Sequence, residues 1–550
     1  MNTPKIYPLS ETALCIEWGN TINELINQQV IYLNRILNKD PFTGFIESVP
    51  AYASLTVYYQ AELLAEIGDH PFLFVKRYIE NLLHRTDPET PKKEPVILIP
   101  VCYDEEFGCD LEFVASANGI SKEEVVSVHQ QKEYNVYMMG FLPGFAYMGE
   151  VDNAIATPRK KSPRANVEEG SVGIAGKQTG IYPIPSPGGW QIIGRTPLCL
   201  FDLQKENPFL FKTGESIRFH AITKEEFYRI KNQQKKNTLI DQKENKGDAI
   251  IIKPGIFSTL QDGGRFGYRS YGLPHSGAMD DRAYHIANAL AGNPKNAAAI
   301  ECTMGGLMIR FNKNAGIAIT GAGIAFVNHQ KINFYQPLSV FRNDLLEIKY
   351  NNDGIRSYIA VSGGFAAPEI MNSRSTYSRA NLGSTLKKGD VLTFDNVLPA
   401  STKKMPAALL VPTYSQHATI RIIKGPENDW IKPESIPQFY SQKFTLTNDC
   451  DRMGYKLQGN PLFLSNTSEL LSTAVTRGTI QLTPDGQLII LMNDCQTTGG
   501  YPRVAQIAAG DLCIIAQLKP GDTVRFINIS FGEAEELYLL QQKKFDEFFS

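Results

Sequence analysis

From Tyr134 to about Phe219, apolar runs last only a few residues before glycine or proline cuts them. Such a stretch cannot build long helices, because proline breaks the backbone hydrogen-bond ladder and glycine is entropically costly inside it. It can build short strands joined by tight turns. The same texture returns after residue 248, and the chain holds 44 glycines and 32 prolines. The expectation is an α+β fold rich in β-structure, with helices confined to a few segments.

One such segment is the N-terminus. Cys15–Trp18 and Ala53–Tyr59 read as strands. Between them Ile22, Leu25, Ile26, Val30, Leu33, Ile36 and Leu37 recur at helical spacing, and Pro71 to Arg85 reads as a second amphipathic helix. Strand, helix, strand, helix suits a small split βαβ sandwich over 1–92. Val96–Pro100 opens a second unit, 93–229. It includes a helix ending at Gly119, then a capping box with Ser121 as cap and Glu124 three residues on. Residues 230–247 are polar and charged and read as a linker. A weaker boundary near Pro399–Pro406 divides the remainder into 248–400 and 401–550.

Two internal echoes suggest related β-units. Asp262, Arg265, Gly267, Tyr268 and Gly272 match Asp449, Arg452, Gly454, Tyr455 and Gly459 at a constant offset of 187 (449 − 262 and 459 − 272). Gln178–Pro183 resembles Gln496–Pro502, and each is followed by an apolar strand and a glycine-led final strand, Gly214–Phe219 and Gly521–Phe526.

The net charge of −2 gives no electrostatic reason to expect nucleic acid or an anionic membrane as partner. No segment reaches about 18 uninterrupted apolar residues, so no membrane span is expected. Eight scattered cysteines without a C-x-x-C pair imply reduced thiols in a cytoplasmic protein, with neither disulfides nor zinc.

Candidate chemistry is densest between Gly140 and Thr196. Glycine-rich turns let backbone N–H groups approach a ligand. Arg159, Arg164, Lys177 and Arg195 offer positive charge for a carboxylate or phosphate, and Gln178, Thr179 and Tyr182 suit an amide. Turn formation and core filling are the plainer roles for any one of them. In the second half Asp262, Asp280 and Glu301 could act as bases or bind a cation, with pairing to Arg265 and helix capping as alternatives for the first two. His275 is an acid–base candidate, more simply a solvated loop residue. Asp449, Asp451 and Arg452 precede a turn, and Asn493–Pro502 ends an apolar strand in polar residues, as a site rim would. The chain lacks a phosphate-binding P-loop, a G-x-S-x-G elbow, an H-E-x-x-H helix, an amidase Ser-Ser-Lys signature and the Met-Lys-Met of a biotin carrier.

These runs resemble two linked families. Residues 1–229, through G-F-L-P-G-F-A-Y, G-S-V-G-I-A-G-K-Q-T-G-I-Y-P, S-P-G-G-W and G-R-T-P, are similar to the B-type component of bacterial 5-oxoprolinase, also described as a sporulation kinase inhibitor. Residues 248–540, through P-G-I-F-S-T-L-Q-D-G-G-R, G-L-P-H-S-G-A-M-D, D-R-M-G-Y and Q-T-T-G-G-Y-P, resemble the C-type component. The resemblance implies a ferredoxin-like N-terminal domain followed by three cyclophilin-like β-barrel units. It implies opening of 5-oxo-L-proline to L-glutamate with ATP hydrolysis, ATP as co-substrate with magnesium, no biotin, and a separate A-type subunit as partner. On it, Arg159, Arg164, Lys177 and Arg195 would grip phosphoryl and carboxylate groups, with Arg265 and Arg452 as further anion contacts. Gln178, Tyr182, Gln496, Thr497, Thr498 and Tyr501 would hold the amide. Asp262, Asp280, Glu301 or Asp494 would bind magnesium or orient water. A urea or allophanate hydrolase component and a histidine-kinase regulator are the competing readings.

Overall fold

The computed structural model describes residues 3–68, 70–85, 95–234, 247–394, 411–466 and 468–549. The first unit is an antiparallel sheet of β1 (Lys5–Ser10), β2 (Ala13–Glu17), β3 (Phe45–Pro50) and β4 (Ser54–Tyr59), ordered β1-β2-β4-β3. Helix α1 (Glu24–Lys39) joins β2 to β3, with β4 between them, so the split βαβ is present and the unit is ferredoxin-like. Asn23 caps α1 by accepting from Ile26 N at 3.1 Å. Val30, Leu33 and Leu37 of α1 are buried against Leu14, Ile16, Leu55 and Val57, each such side chain stabilising by about 1.5–3 kcal/mol. Helices α2 (Ala61–Glu66) and α3 (Pro71–Arg85) follow. Strands β1 and β3 are not visible as apolar alternation; β3 starts Phe-Ile-Glu-Ser-Val and buries its glutamate.

The second unit comprises β5 (Ile97–Val101), α4 (Leu111–Asn118), α5 (Lys122–Gln131), β6 (Tyr134–Met139), β7 (Ala146–Gly149), β8 (Arg164–Val167), β9 (Ser171–Ala175), β10 (Gln178–Ile181), β11 (Ser186–Gly188), β12 (Gln191–Arg195), β13 (Ser216–Ala221) and α6 (Lys224–Gln234). Gly119 ends α4 in the left-handed conformation, and Ser121 and Glu124 form the capping box of α5. The sheet order is β12-β9-β10-β7-β6-β13-β5, and a bridge between Cys102 and Arg195 joins its two ends. Helix α6 runs past the expected start of the linker, of which 235–246 lie outside the described residues, as does the boundary expected at 399–406.

The third unit holds β14 (Ala249–Pro254), β15 (Phe257–Gln261), α7 (Asp281–Ala291), β16 (Ala299–Thr303), β17 (Leu307–Phe311), β18 (Ala315–Gly321), β19 (Ile324–Val327), β20 (Gln330–Ile332), β21 (Pro337–Val340), β22 (Leu345–Lys349), β23 (Arg356–Val361), β24 (Phe365–Ala366) and β25 (Val391–Phe394). They form sheets β20-β19-β22-β17-β14-β25-β24 and β15-β16-β23-β18-β21, with a shared core that includes Ile251, Ile300, Ile309, Ile319 and Ile359.

The last unit is a closed barrel. It comprises β26 (His417–Lys424), α8 (Ile436–Ser441), β27 (Phe444–Cys450), β28 (Gly454–Gln458), β29 (Thr473–Ala474), β30 (Thr479–Leu482), β31 (Leu488–Leu491), β32 (Thr498–Gly499), β33 (Arg503–Ile507), α9 (Leu512–Ile515), β34 (Thr523–Asn528) and α10 (Phe531–Phe549). Its order is β26-β33-β30-β31-β28-β27-β34, closed by β34 running parallel to β26. Strand for strand this is the order of the second unit, where β13 likewise runs parallel to β5. The glycine-led final strands of the second echo therefore correspond. Its register does not: Gln178 opens β10, whereas Gln496 lies beyond β31, and the counterpart of β32 is β11. Gly188-Gly189 thus answers Gly499-Gly500. The offset of 187 also fails to mark equivalent elements, since Asp262–Gly272 is an irregular loop and Asp449–Gly459 a β-hairpin.

Among the described residues no helix is long and apolar enough to cross a membrane.

Candidate site at the junction of the units

Three glycine-rich runs meet where the halves touch. The loop 140–145 docks through Gly144 N, which donates to Tyr271 O at 2.9 Å. A Cβ on Gly272 would lie 2.4 Å from Leu142 O, and one on Gly140 would lie 1.9 Å from Thr498 Oγ1. Only glycine permits either approach, and Gly272 also sits at φ +79°. The first unit joins through Ser54 Oγ and Thr473 Oγ1 at 2.9 Å and through the buried ion pair of Arg269 with Glu47.

Beside this junction lies a cavity of about 610 Å³ walled by the first unit, the third unit, the last barrel and α10. The β1–β2 turn contributes Glu11, the loop after β15 contributes Arg269 and His275, and the last barrel contributes Arg477, Asn493, Gln496 and Thr497. Six of the lining residues each bury a polar atom that has no hydrogen-bond partner among the described residues: Tyr59 OH, His275 Nε2, His285 Nδ1, Arg477 Nε, Asn493 Oδ1 and Thr497 Oγ1.

Charges of both signs line it, Glu11, Glu62, Asp262 and Asp281 against Arg269, Lys295 and Arg477. Burial, then Arg269, Arg477 and Arg265, push His275 well below the usual imidazole range, so it is neutral. Burial raises Glu11 to about 7, against the bond its Oε1 accepts from Ala509 N at 2.8 Å. Burial also lifts the Cys495 thiol to about 12, which leaves it protonated and a poor nucleophile.

Of the expected site residues, Gln496, Thr497 and Asp262 line this cavity. Thr498 is buried against Gly140, and Tyr501 is exposed. Asp262 accepts from Gly264 N, Ser373 Oγ, Arg374 N and Ser375 Oγ and holds its loop together. It forms no ion pair with Arg265, which donates instead to the carbonyls of Ile370 and Ser375. Asp280 is the N-cap of α7, accepting from Ala283 N at 2.9 Å, and is further tied to Tyr414 and Gln517.

Glu301, Arg452 and Asp494 form a buried staple between the third unit and the last barrel. Arg452 reaches Glu301 at 2.6 Å, Asp494 through two bonds, and Gly277 O at 2.7 Å. Burial works against the Glu301 carboxylate, but Arg452 and Arg356 overcome it and hold it below the usual range. Magnesium finds no cage here. Asp262, Asp280, Glu301 and Asp494 are separately engaged by protein donors, and among the described residues no three His, Cys, Asp or Glu side chains converge as a metal site. These carboxylates do not fit that ion.

The cations of the second unit stand apart from the cavity. Arg164 and Lys160 both bind Asp110, at 2.5 and 3.0 Å. Arg195 donates to Glu169 O and pairs with Glu168 at 3.5 Å, while its backbone closes the barrel. Arg159 lies 5.8 Å from the Trp190 ring centroid, and Lys177 is exposed on the β9–β10 turn. Gln178 Oε1, Ser186 Oγ and Gln191 Oε1 are buried there without partners, and Tyr182 packs its ring against Phe145 and its hydroxyl against Gly188. One cavity shared by these cations and the Gln496–Tyr501 run is therefore not what the fold builds.

Sequence reasoning missed Glu11, Tyr59, Arg269 and Arg477. Arg269 follows directly on the Gly267-Tyr268 pair of a singled-out motif; Glu11 and Tyr59 belong to the first unit and gave no signal, since only the tertiary fold brings them here.

Comparison with known proteins agrees with this organisation. Residues 4–211 match the model of a carboxyltransferase domain, subdomain C and D, and residues 271–528 match that of a carboxyltransferase domain, subdomain A and B. The chain is 43% identical over 236 residues to the B-type component of 5-oxoprolinase from Bacillus subtilis (strain 168), covering 42% of this chain and 97% of that protein. It is 37% identical over 300 residues to the C-type component of 5-oxoprolinase from Escherichia coli (strain K12), covering 54% and 96%. Urea amidolyase of Lachancea kluyveri is 32% identical over 363 residues, covering 59% of this chain but 20% of that protein. The solved structure of TTHA0988 superposes with a TM-score of 0.82 at 29% identity over 94% of this chain and 99% of that one.

Proposed function

The chain belongs to the 5-oxoprolinase subunit family and unites a B-type half with a C-type half; from that premise we propose that it opens 5-oxo-L-proline to L-glutamate with ATP hydrolysis, together with a separate A-type subunit. A lactam carbonyl is a poor electrophile, and coupling to ATP supplies the driving force that ring opening lacks. The observation that carries the reading is the junction cavity: the first unit of the B-type half and both units of the C-type half close around it, and its wall mixes charged side chains with neutral polar ones such as Gln496 and Thr497. A small acidic amide offers hydrogen-bonding groups to such a wall. Arg159 and Lys177, which make no ion pair among the described residues, remain for an anion such as phosphate on the outer face of the second unit.

The test is release of glutamate by the chain with the A-type subunit, with and without ATP, with urea and allophanate offered in parallel. ATP-dependent release from 5-oxoproline alone is the expected result. Turnover of urea or allophanate in its place would transfer the reading to the urea amidolyase side of the similarity.

A further inference from the structure

A second cavity, of about 440 Å³, opens at the other end of the contact between the first unit and the last barrel. Strand β1 gives Lys5 and Tyr7 to it and Ser10 to the junction cavity, and the chain around β29 gives residues 470–473 to the one and 475–477 to the other. Leu9 and Ala474, where these two segments pass from one space to the other, are buried in one apolar cluster, so the spaces are separate. Asn20 closes the near wall, donating to Glu469 O at 3.0 Å and accepting from Leu471 N at 2.8 Å.

Three cations line this cavity, Lys5, Lys424 and Arg503, against two carboxylates, Glu17 and Glu427. Arg503 is 1% exposed and fully engaged: Nε and Nη2 donate to Glu427 at 2.9 and 2.7 Å, and Nη2 also to Tyr7 OH at 3.2 Å. Tyr7 in turn donates to Glu17 Oε2 at 2.5 Å. This chain of bonds occupies both oxygens of Glu427 and one of Glu17, and the two lysines are left over. Both are exposed, and neither makes an ion pair among the described residues. Lys5 faces the last barrel: the register sets it opposite Glu17, and two residues along the same strand face Tyr7 reaches Arg503. Lys424 ends β26 and precedes Gly425, where a Cβ would lie 2.0 Å from Arg503 O, so this strand end sits directly on the arginine. We infer that the cavity binds a multiply charged oxyanion, a phosphate or a dicarboxylate, held by Lys5 of the first unit and Lys424 of the last barrel. Such an occupant clasps the B-type half to the C-type half from outside the junction cavity, and the site does not depend on the lactam reading above.

The experiment is calorimetric titration of the full chain alone, without the A-type subunit, ATP or 5-oxoproline. The probes are pyrophosphate, inorganic phosphate and succinate, with acetate as the singly charged control. Arg159→Gln combined with Lys177→Gln removes the exposed cations of the second unit, so binding that persists in this background belongs elsewhere. There the best polyvalent probe should bind at least about 10-fold more tightly than acetate, and its identity separates phosphate from dicarboxylate. Adding Lys5→Gln or Lys424→Gln, neither of which takes an ion pair from the described residues, should weaken that probe about 10-fold, while Lys424→Arg retains it. The probe should also raise the melting temperature, and the rise should vanish when both lysines are replaced. No saturable binding in the Arg159→Gln, Lys177→Gln background, or binding there that both lysine replacements leave unchanged, overturns the inference. Glutamate release is read in a separate assay, so the functional reading stands or falls independently of these titrations.

Discussion

The second unit and the last barrel share one strand order but treat the same ribbon in opposite ways. In the second unit, β8 and β11 lie over an aromatic layer of Phe145, Tyr147, Tyr182 and Trp190, and Arg164 at the head of β8 is pinned by Asp110. In the last barrel, β29 meets the first unit through Thr473, Thr498 of β32 meets Gly140, and the residues flanking the ribbon, among them Val475, Arg477, Gln496 and Thr497, line the junction cavity. Topology thus fixes where the ribbon runs. What packs against it decides whether it becomes core or site wall.

The largest expected effect tests the staple that sets the last barrel against the third unit. Arg452→Met should lower stability by about 3–5 kcal/mol, because it takes from the interior the one guanidinium that both the Glu301 and the Asp494 carboxylates share. Arg164→Met in the second unit should cost about 1–2 kcal/mol, since Asp110 keeps Lys160 and Ile192 N. Chemical denaturation of both variants measures the difference, and equal losses would erase the contrast.

Next comes the contact between the halves. Gly140→Ala should cost about 1–3 kcal/mol by driving a methyl into Thr498, and adding Thr498→Ala should recover most of it. A denaturation double-mutant cycle reads the coupling.

A pH series probes the first unit's grip on the last barrel. Glu11 is raised in the folded state to about 7 from an unfolded value of 4.5, so the folded chain holds the extra proton. Stability should therefore fall as pH rises from 4.5 to 7 and level off above, and Glu11→Gln should flatten that part of the curve in thermal melts. The smallest effect belongs to Arg159→Ala, expected to change stability by less than about 1 kcal/mol because the cation is exposed over Trp190.

Much of this is legible in the chain itself. Helical spacing marks α1 and α3, the Ser121–Glu124 pair marks α5, and glycine with proline marks the β-rich barrels. The glycine motifs are recognisable as unusual, but their purpose is not. Gly140 and Gly272 serve close packing between halves rather than approach to a ligand. The charged residues are harder. Sequence shows that Arg452 or Arg164 exists, not that Glu301 or Asp110 will neutralise it from a distant strand. Cavity walls built from turns hundreds of residues apart, such as Glu11 and Arg477, leave no local pattern to read.

Helix α10 returns to the first unit, where Tyr538 and Leu539 join its core, Glu535 accepts from Phe72 N at 3.1 Å, and Tyr538 and Gln542 border the cavity. On the ribosome this order imposes a delay. The first unit is synthesised before α10 and waits, with part of its apolar surface uncovered, until residues 531–549 have followed it out. Enclosure of the junction cavity then has to wait for that helix, so a nascent chain stalled before residue 531 would lack the element that completes the wall.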